Sequence, residues 1–368
     1  MSMVSDLLTK MVEQKGSDLF ITVGMPACIK SDGNIKNLGD TAFTPQQTTE
    51  IIFSMMDENQ KTEFTNKKEC NFALQTDIGR FRVNAFYQRC HVGAVLRRIE
   101  TKIPALEELQ VPSALSEFIM LQRGLVILVG STGSGKSSTL AAMIGYRNKN
   151  SSGHIITIED PVEFVHPHIK SIITQREVGI DTESFDLALK NTLRQAPDVI
   201  LIGEIRSQET MSYAINFAET GHLCLATLHA NNANQAMDRI VNFFPHEKRQ
   251  QLLTDLSLNL RAVIAQQLIP VATGKGRIPA VEILINTPAI SESIRKGEIS
   301  AIKELMSKGS TIGMQTFDQA LFNLHKADKI TYEEAIQHAD SENELRLMIK
   351  LSKGNAGKSE FDGIRLQN

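Results

Sequence analysis

Gly130-Ser131-Thr132-Gly133-Ser134-Gly135-Lys136-Ser137 carries the strongest chemical signal in the chain, a full match to G-x-x-x-x-G-K-[ST]. Glycines at those spacings let successive backbone N–H groups curl around phosphate oxygens, and a helix starting at the lysine adds its positive end. The flanks suit the motif: an unbroken apolar run at residues 125–129 precedes it and a helix-forming stretch at 138–146 follows. A chance glycine-rich turn would need neither flank. Ser131, Thr132, Gly133, Ser134, Gly135, Lys136, Ser137 and Ser138 are therefore read as a nucleotide-phosphate site. Lys136 would reach the β- and γ-phosphates of ATP, and Ser137 would bind Mg²⁺.

Two acidic segments could complete such a site. Glu159, Asp160 and Glu163 follow a predicted strand, at the edge where open α/β sheets bind ligands. A solvated acidic turn is the plainer alternative. Glu163, just past the strand end, is the general-base candidate. Asp198-Val199-Ile200-Leu201-Ile202-Gly203-Glu204 reads as a Walker B strand whose terminal carboxylate, Glu204, would hold the metal through water; Gly203 keeps the strand end uncrowded. His222 and His229 bracket the strand at 223–228 and, seven apart, face opposite sides of an ideal strand, which argues against a joint metal pair. His229, at the C-terminal end, is either a satisfied core histidine or a reader of the γ-phosphate. His166 and His168 flank Pro167 in a loop and are given no role. Arg80, Arg82, Arg97 and Arg98 lie far along the chain from the glycine loop. They are either solvated surface cations or an arginine finger offered to a neighbouring subunit.

The elements that must position these residues follow from periodicity. The first hundred residues look α+β, with helices at 4–14 and 45–64, a strand at 18–23, a turn at 31–33 and strands at 71–76, 79–88 and 92–99. In the strand at 79–88, Phe81, Val83 and Ala85 alternate with Arg80, Arg82 and Asn84. The two prolines of residues 101–112 mark a linker. Buried apolar strands at 125–129, 154–158, 199–202 and 223–227 then alternate with helices, one of them at 184–196 and stopped by Pro197. That alternation predicts a doubly wound α/β core, with a hairpin at 266–270 and 278–285 appended to it. Residues beyond 288 are helical in pattern, and 351–368 read as a loose tail. The expected organisation is an N-terminal domain at 1–100, a linker at 101–115, a core at 116–287, a helical region at 288–350 and the tail at 351–368.

Composition narrows the class. The chain has 368 residues, 22% of them charged, with a formal net charge of −3. That balance excludes the broad basic footprint of a protein living on nucleic acid. Acids at Asp6 and Glu13 make the N-terminal stretch a helix and not a signal peptide. No apolar run approaches the roughly 20 residues that span a bilayer, so direct membrane insertion is not expected. Cys28, Cys70, Cys90 and Cys224 form no C-x-x-C pair and read as reduced cysteines.

Together these motifs resemble the secretion-type hexameric ATPases, and within them the type IV pilus retraction ATPases of the PilT/PilU family. The resemblance runs from about residue 5 to 350. It rests on the glycine loop, the acidic box at 158–164, the run Leu193-Arg194 through Gly203-Glu204-Ile205-Arg206, and the histidine box from Thr220-Gly221-His222 to Thr227-Leu228-His229. Gly16-Ser17-Asp18-Leu19, the run at 79–86 and Gly313-Met314-Gln315-Thr316-Phe317-Asp318 also fit. The chain lacks the tetracysteine module of the extension and type II secretion branches, and residues 289–296 and 332–350 are more like the PilU branch. It departs from the family at Ser207, where an Asp usually follows Gly-Glu-x-Arg and could orient Arg206.

The resemblance implies a RecA-like P-loop core, a PAS-like N-terminal domain and a helical C-terminal region, assembled as a homo-hexamer with ATP between subunits. It implies that Arg82 and Arg97 act in trans. It further implies cytoplasmic placement against the inner membrane, through the pilus platform protein and with a paralogous retraction ATPase. A mainly structural accessory ring is the alternative to a motor.

Overall fold

The computed structural model describes residues 3–31, 34–99 and 102–356; the tip of the turn expected at 31–33, the start of the linker and residues 357–368 of the tail lie outside them. The chain divides into two compact units, Met1–Lys102 with Glu163–Val165, and Ile103–Val162 with His166–Asn368.

In the first unit, α1 (Met3–Glu13) buries Val4, Leu7, Leu8 and Met11, the spacing of one helical face. It packs with a six-stranded antiparallel sheet: β1 (Asp18–Ile21), β2 (Cys28–Ser31), β3 (Asn34–Asn37), β4 (Glu69–Thr76), β5 (Gly79–Gln88) and β6 (His91–Arg98), in the order β3-β2-β1-β6-β5-β4. The strands β2 and β3 were not expected; four residues each are too few to show a period. The single helix expected at 45–64 is two, α2 (Pro45–Phe53) and α3 (Glu58–Lys67). The break has a local cause. Asp57 accepts from the Gln60 amide at 2.8 Å while the Gln60 side chain accepts from the Asp57 amide at 3.0 Å, a capping box that starts a new helix. Phe81, Val83 and Ala85 point into the core as their alternation requires.

The second unit is built on a seven-stranded sheet. Its elements are α4 (Ala114–Ile119), β7 (Gly124–Val129), α5 (Lys136–Asn150), β8 (Gly153–Glu159), β9 (Ser171–Glu177), α6 (Phe185–Thr192), β10 (Val199–Ile202), α7 (Gln208–Glu219), β11 (Leu223–Leu228), α8 (Ala233–Asn242), α9 (His246–Asn259), β12 (Leu260–Pro270) and β13 (Arg277–Ile285). The helices α10 (Pro288–Lys296), α11 (Ile302–Lys308), α12 (Phe317–Lys326), α13 (Tyr332–Gln337) and α14 (Glu342–Ala356) follow.

The strand order is β13-β12-β7-β11-β10-β8-β9, parallel except for the β12–β13 pair. Both faces are covered, which is why the strands read as continuous apolar runs. In β7, Leu125, Ile127 and Val129 join one core while Val126 and Leu128 join the other.

Three expectations need correction here. The hairpin's first strand, β12, begins at Leu260 and is itself a parallel member of the sheet beside β7. The helix at 184–196 ends at Thr192, passes through a 3₁₀ turn at Leu193–Gln195 and stops at Ala196, whose φ is +50°. The tail does not begin at residue 351: α14 runs to Ala356, anchored by buried Leu345 and Ile349, and extending an existing helix costs little.

Candidate active site

The parallel strands point their C-terminal ends to one edge, and that edge holds the glycine loop, Asp160, Glu204 and His229, while Glu163, Arg82 and Arg97 fall in the first unit. The glycine loop leaves β7, one of the central strands, and α5 begins at Lys136. Gly133 and Gly135 adopt φ of +79° and +89°, a region that favours glycine. The first turn of α5 carries no acidic residue, so its positive end is uncancelled. Lys136 is buried and donates to the carbonyls of Gly130 at 2.7 Å and Ser131 at 2.9 Å.

Ser131, Thr132, Gly133 and Ser134 line a cavity of about 550 Å³, within the range of small-molecule sites. The Ser134 hydroxyl is buried without a hydrogen-bond partner, a donor that an anionic oxygen would satisfy. A phosphate-bearing nucleotide fits this cradle. The hydroxyl of Ser137 at the start of α5 and the carboxylate of Glu204 are hard oxygen donors of the kind Mg²⁺ takes alongside phosphate.

β11 lies between β7 and β10 and brings the second cluster to the loop's side. Glu204 follows β10 and His229 follows β11. Arg206 donates to Glu204 Oε2 at 2.7 Å, and His229 Nε2 stands 3.4 Å from Glu204 Oε1. The second guanidinium nitrogen of Arg206 is 3.8 Å from Asp160 Oδ2. The hydrogen bond to Glu204, and less so the charges of Glu204 and Asp160, raise the Arg206 pKa against the opposing effect of burial.

Gly203 is favoured sterically, because a Cβ there would lie 3.0 Å from the Glu159 Cα and the Ile158 carbonyl, tighter than ordinary contact with backbone atoms. Thr227 donates to the Gly203 carbonyl and pins that strand end. Ser207, the departure from the family pattern, caps α7 by accepting from the Thr210 amide at 3.3 Å. Arg206 is oriented without it, by Glu204 and Asp160.

The acidic box separates into three environments. Glu159 accepts from Thr157 at 2.7 Å and from Gln175 of β9 at 3.2 Å. Asp160 faces Arg206. Glu163 is exposed and groups with the first unit. His222, at the opposite end of β11 from His229, lies 3.1 Å from the Thr220 hydroxyl. His166 is buried, and burial pushes its imidazole down to about 4, so it is neutral at pH 7.

In the first unit Arg82 and Arg97 are brought side by side. They are Cα partners across β5–β6, and Arg97 is in turn the partner of Asp18 across β6–β1. Arg97 is 70% exposed at the side chain and donates to Asp18 at 2.8 Å, which offsets the repulsion between the paired cations.

Sequence reasoning missed the cavity's far wall. Asn231, Arg277, His338 and Asp340 line it together with the glycine loop, and two of them belong to the C-terminal helical region. Nothing in their local sequence marks them, since they meet the loop only through the fold. Arg206 was visible, two residues after Glu204, but its pairing with Asp160 depends on β10 lying beside β8.

A family model described as type II/IV secretion system protein matches residues 2–322. The type IV pilus ATPase PilU of Pseudomonas aeruginosa is 60% identical over 346 residues, covering 94% of this chain and 91% of that protein. The type IV pilus retraction ATPase PilT of the same organism is 40% identical, covering 91% of this chain and 98% of that protein. Among solved structures, the pilus retraction motor PilT with bound ADP superposes with a TM-score of 0.88 at 40% identity, over 95% of this chain and all of that one. Among the described residues, no helix is long and apolar enough to cross a membrane.

Proposed function

The chain belongs to the type II/IV secretion system protein family, among its type IV pilus ATPases, and from that premise we propose that it is a hexameric motor hydrolysing ATP to power or assist pilus retraction at the inner membrane. The observation that carries this reading is one sheet edge holding both a phosphate loop at the start of α5 and the Glu204–Arg206–His229 cluster. Mg·ATP, when bound, supplies the phosphoryl bond to be broken. The loop amides and the α5 terminus orient its phosphates, and Lys136 adds a cation that stabilises charge developing in transfer. Ser137 and, through water, Glu204 would hold the metal. Glu163 would accept the proton of the attacking water, and His229, tethered to Glu204, would sense the γ-phosphate.

Arg82 and Arg97, aligned on neighbouring strands and flanked by a single acid, suit a finger offered to a neighbour's nucleotide. The greater identity to PilU than to PilT, 60% against 40%, supports a motor that assists a paralogue. The intact Lys136, Glu163 and Glu204 set supports hydrolysis over a purely structural ring. The platform protein would be the element moved.

Lys136→Ala should cut ATP turnover by ~10²–10³ or more and remove the protein's contribution to retraction, scored by pilus imaging with the paralogue present but catalytically dead. Wild-type turnover in that variant would refute the assignment. The trans role has its own test. Subunits carrying Arg82→Ala are mixed with subunits carrying Glu163→Ala at fixed total protein. Activity above that of either variant alone is expected, because some interfaces recover both groups; no gain in hexamers shown to be mixed would exclude it.

A further inference from the structure

The phosphate loop is braced from outside by a residue of neither the loop nor its helix. Gln266 lies within β12 and is 3% exposed. Its amide is used at both ends: Oε1 accepts from the Thr139 hydroxyl of α5 at 2.9 Å, and Nε2 donates to the Ser134 carbonyl at 2.9 Å. Its closeness is also written into two motif glycines. A Cβ at Gly130 would fall 2.6 Å from the Gln266 carbonyl oxygen, and one at Gly135 would fall 2.7 Å from Gln266 Nε2. Both glycines also hold positive φ, +153° and +89°. The strand therefore presses against the loop at three points, with no space for a side chain between them.

The Ser134 bond has a directional consequence. The Ser134–Gly135 peptide is not among the cis bonds of the described chain. In a planar trans peptide the C=O and the following N–H point in opposite directions. Holding the Ser134 carbonyl against Gln266 therefore aims the Gly135 N–H away from β12. Without that restraint the peptide could rotate about its flanking bonds, since glycine at 135 offers little steric resistance. An amide donor set in advance contributes most where negative charge must be met without reorganisation.

We propose that Gln266 is a positioning residue of the nucleotide site: by gripping the Ser134 carbonyl and the Thr139 hydroxyl it fixes the peptide plane that turns the Gly135 N–H toward the nucleotide's phosphates. The inference rests on the reading of residues 130–137 as a phosphate cradle. Gln266 touches no substrate and acts only through the loop.

Substitutions at Gln266 separate its two bonds. Gln266→Glu keeps an acceptor for Thr139 but sets an oxygen against the Ser134 carbonyl, so the peptide plane is repelled. Gln266→Met preserves bulk and removes both bonds. In the full-length protein, ADP affinity by calorimetry should fall at least tenfold in both variants, with Glu the worse. The KM for ATP should rise by a similar factor while kcat changes less than threefold; the stranded Thr139 hydroxyl and Ser134 carbonyl should also lower the nucleotide-free melting temperature by several degrees, so both assays are run well below it. A merely structural role would lower that temperature and leave ADP affinity intact.

If both variants fail to fold, Thr139→Val and Thr139→Ser replace them. Valine frees one end of the Gln266 amide and should weaken ADP binding about threefold, and serine should restore it. ADP affinity within twofold of wild type in the folded Gln266 variants, or equal affinity in the Thr139 pair, overturns the proposal. Wild-type protein that bound neither ADP nor ATP would overturn the cradle reading itself, and this inference with it.

Discussion

Glu204 and Glu282 belong to the same sheet and are held in opposite ways. Glu204 stands past the end of β10, 17% exposed at its side chain, and its carboxylate meets side-chain partners, Arg206 and His229. Glu282 sits within β13, 2% exposed, and accepts from the backbone amides of Ala233 at 2.7 Å and Phe317 at 3.3 Å, the first residues of α8 and α12. Around it Lys303 lies 3.3 Å from Asp340 and 3.6 Å from Asp318.

A carboxylate paired with flexible side chains can exchange partners when a metal or phosphate arrives. One shared between two helix termini cannot leave without stranding two backbone donors. The first arrangement suits chemistry. The second suits a fixed brace, and it ties the C-terminal helix α12 to the start of α8, shortly after His229.

Alanine substitutions should separate the two roles. Glu204→Ala is expected to lower turnover by ~10²–10³, to spare ADP binding more than hydrolysis, and to cost about 1–2 kcal/mol of stability, since the lost ion pair is partly buried but its Arg206 partner remains exposed to water. Glu282→Ala should do the reverse. It should destabilise the fold by about 2–4 kcal/mol through the stranded amides, and reduce turnover mainly in proportion to the unfolded fraction. ATPase assays beside denaturant titrations check both, and a destabilised Glu204→Ala with normal turnover would break the contrast.

The smallest expected effect is in pH dependence. Burial, partly offset by the Ala233 amide and reinforced by the charge of Asp340, pushes the Glu282 carboxyl up to about 7. Between the ordinary glutamate range and that value the native state holds a proton that the unfolded chain has released. Stability from this group therefore falls as pH rises through the window, by up to roughly 1.4 kcal/mol per pH unit, and is flat above it. Burial of His166 acts with the opposite sign: its pKa is lowered to about 4, so its contribution is lost as pH falls from the ordinary histidine value toward 4.

The two slopes offset each other in the wild type where the windows overlap. Glu282→Gln removes one and should expose a steeper loss of melting temperature toward acid. A Glu282→Gln curve parallel to wild type from pH 4.5 to 7 would show that the carboxyl titrates normally.

Local patterns were enough to place the glycine loop, its strand and helix, the Glu204 strand end and the alternating β5. Each of these rests on steric or periodic rules that act over a few residues: positive φ for glycine, apolar runs for strands buried on both faces, period two for a half-buried strand. The capping box at Asp57 and Gln60 obeys the same short-range logic and was legible in principle, so the helix break was a signal passed over. β9 was missed for a different reason. As the sheet's edge strand it leaves Ile172 exposed beside buried Ser171 and Ile173, so hydrophobicity does not trace its faces.

The tertiary structure alone decided the pairings. Arg82 meets Arg97 through strand register, Arg206 meets Asp160 because β10 lies beside β8, Glu282 reaches two helices from mid-strand, and Gln266 reaches the loop because β12 is parallel to β7. Hydrogen bonds and ion pairs of this kind join residues far apart in the chain. Their partners are set by how strands order and helices pack, and no short window of sequence contains that information.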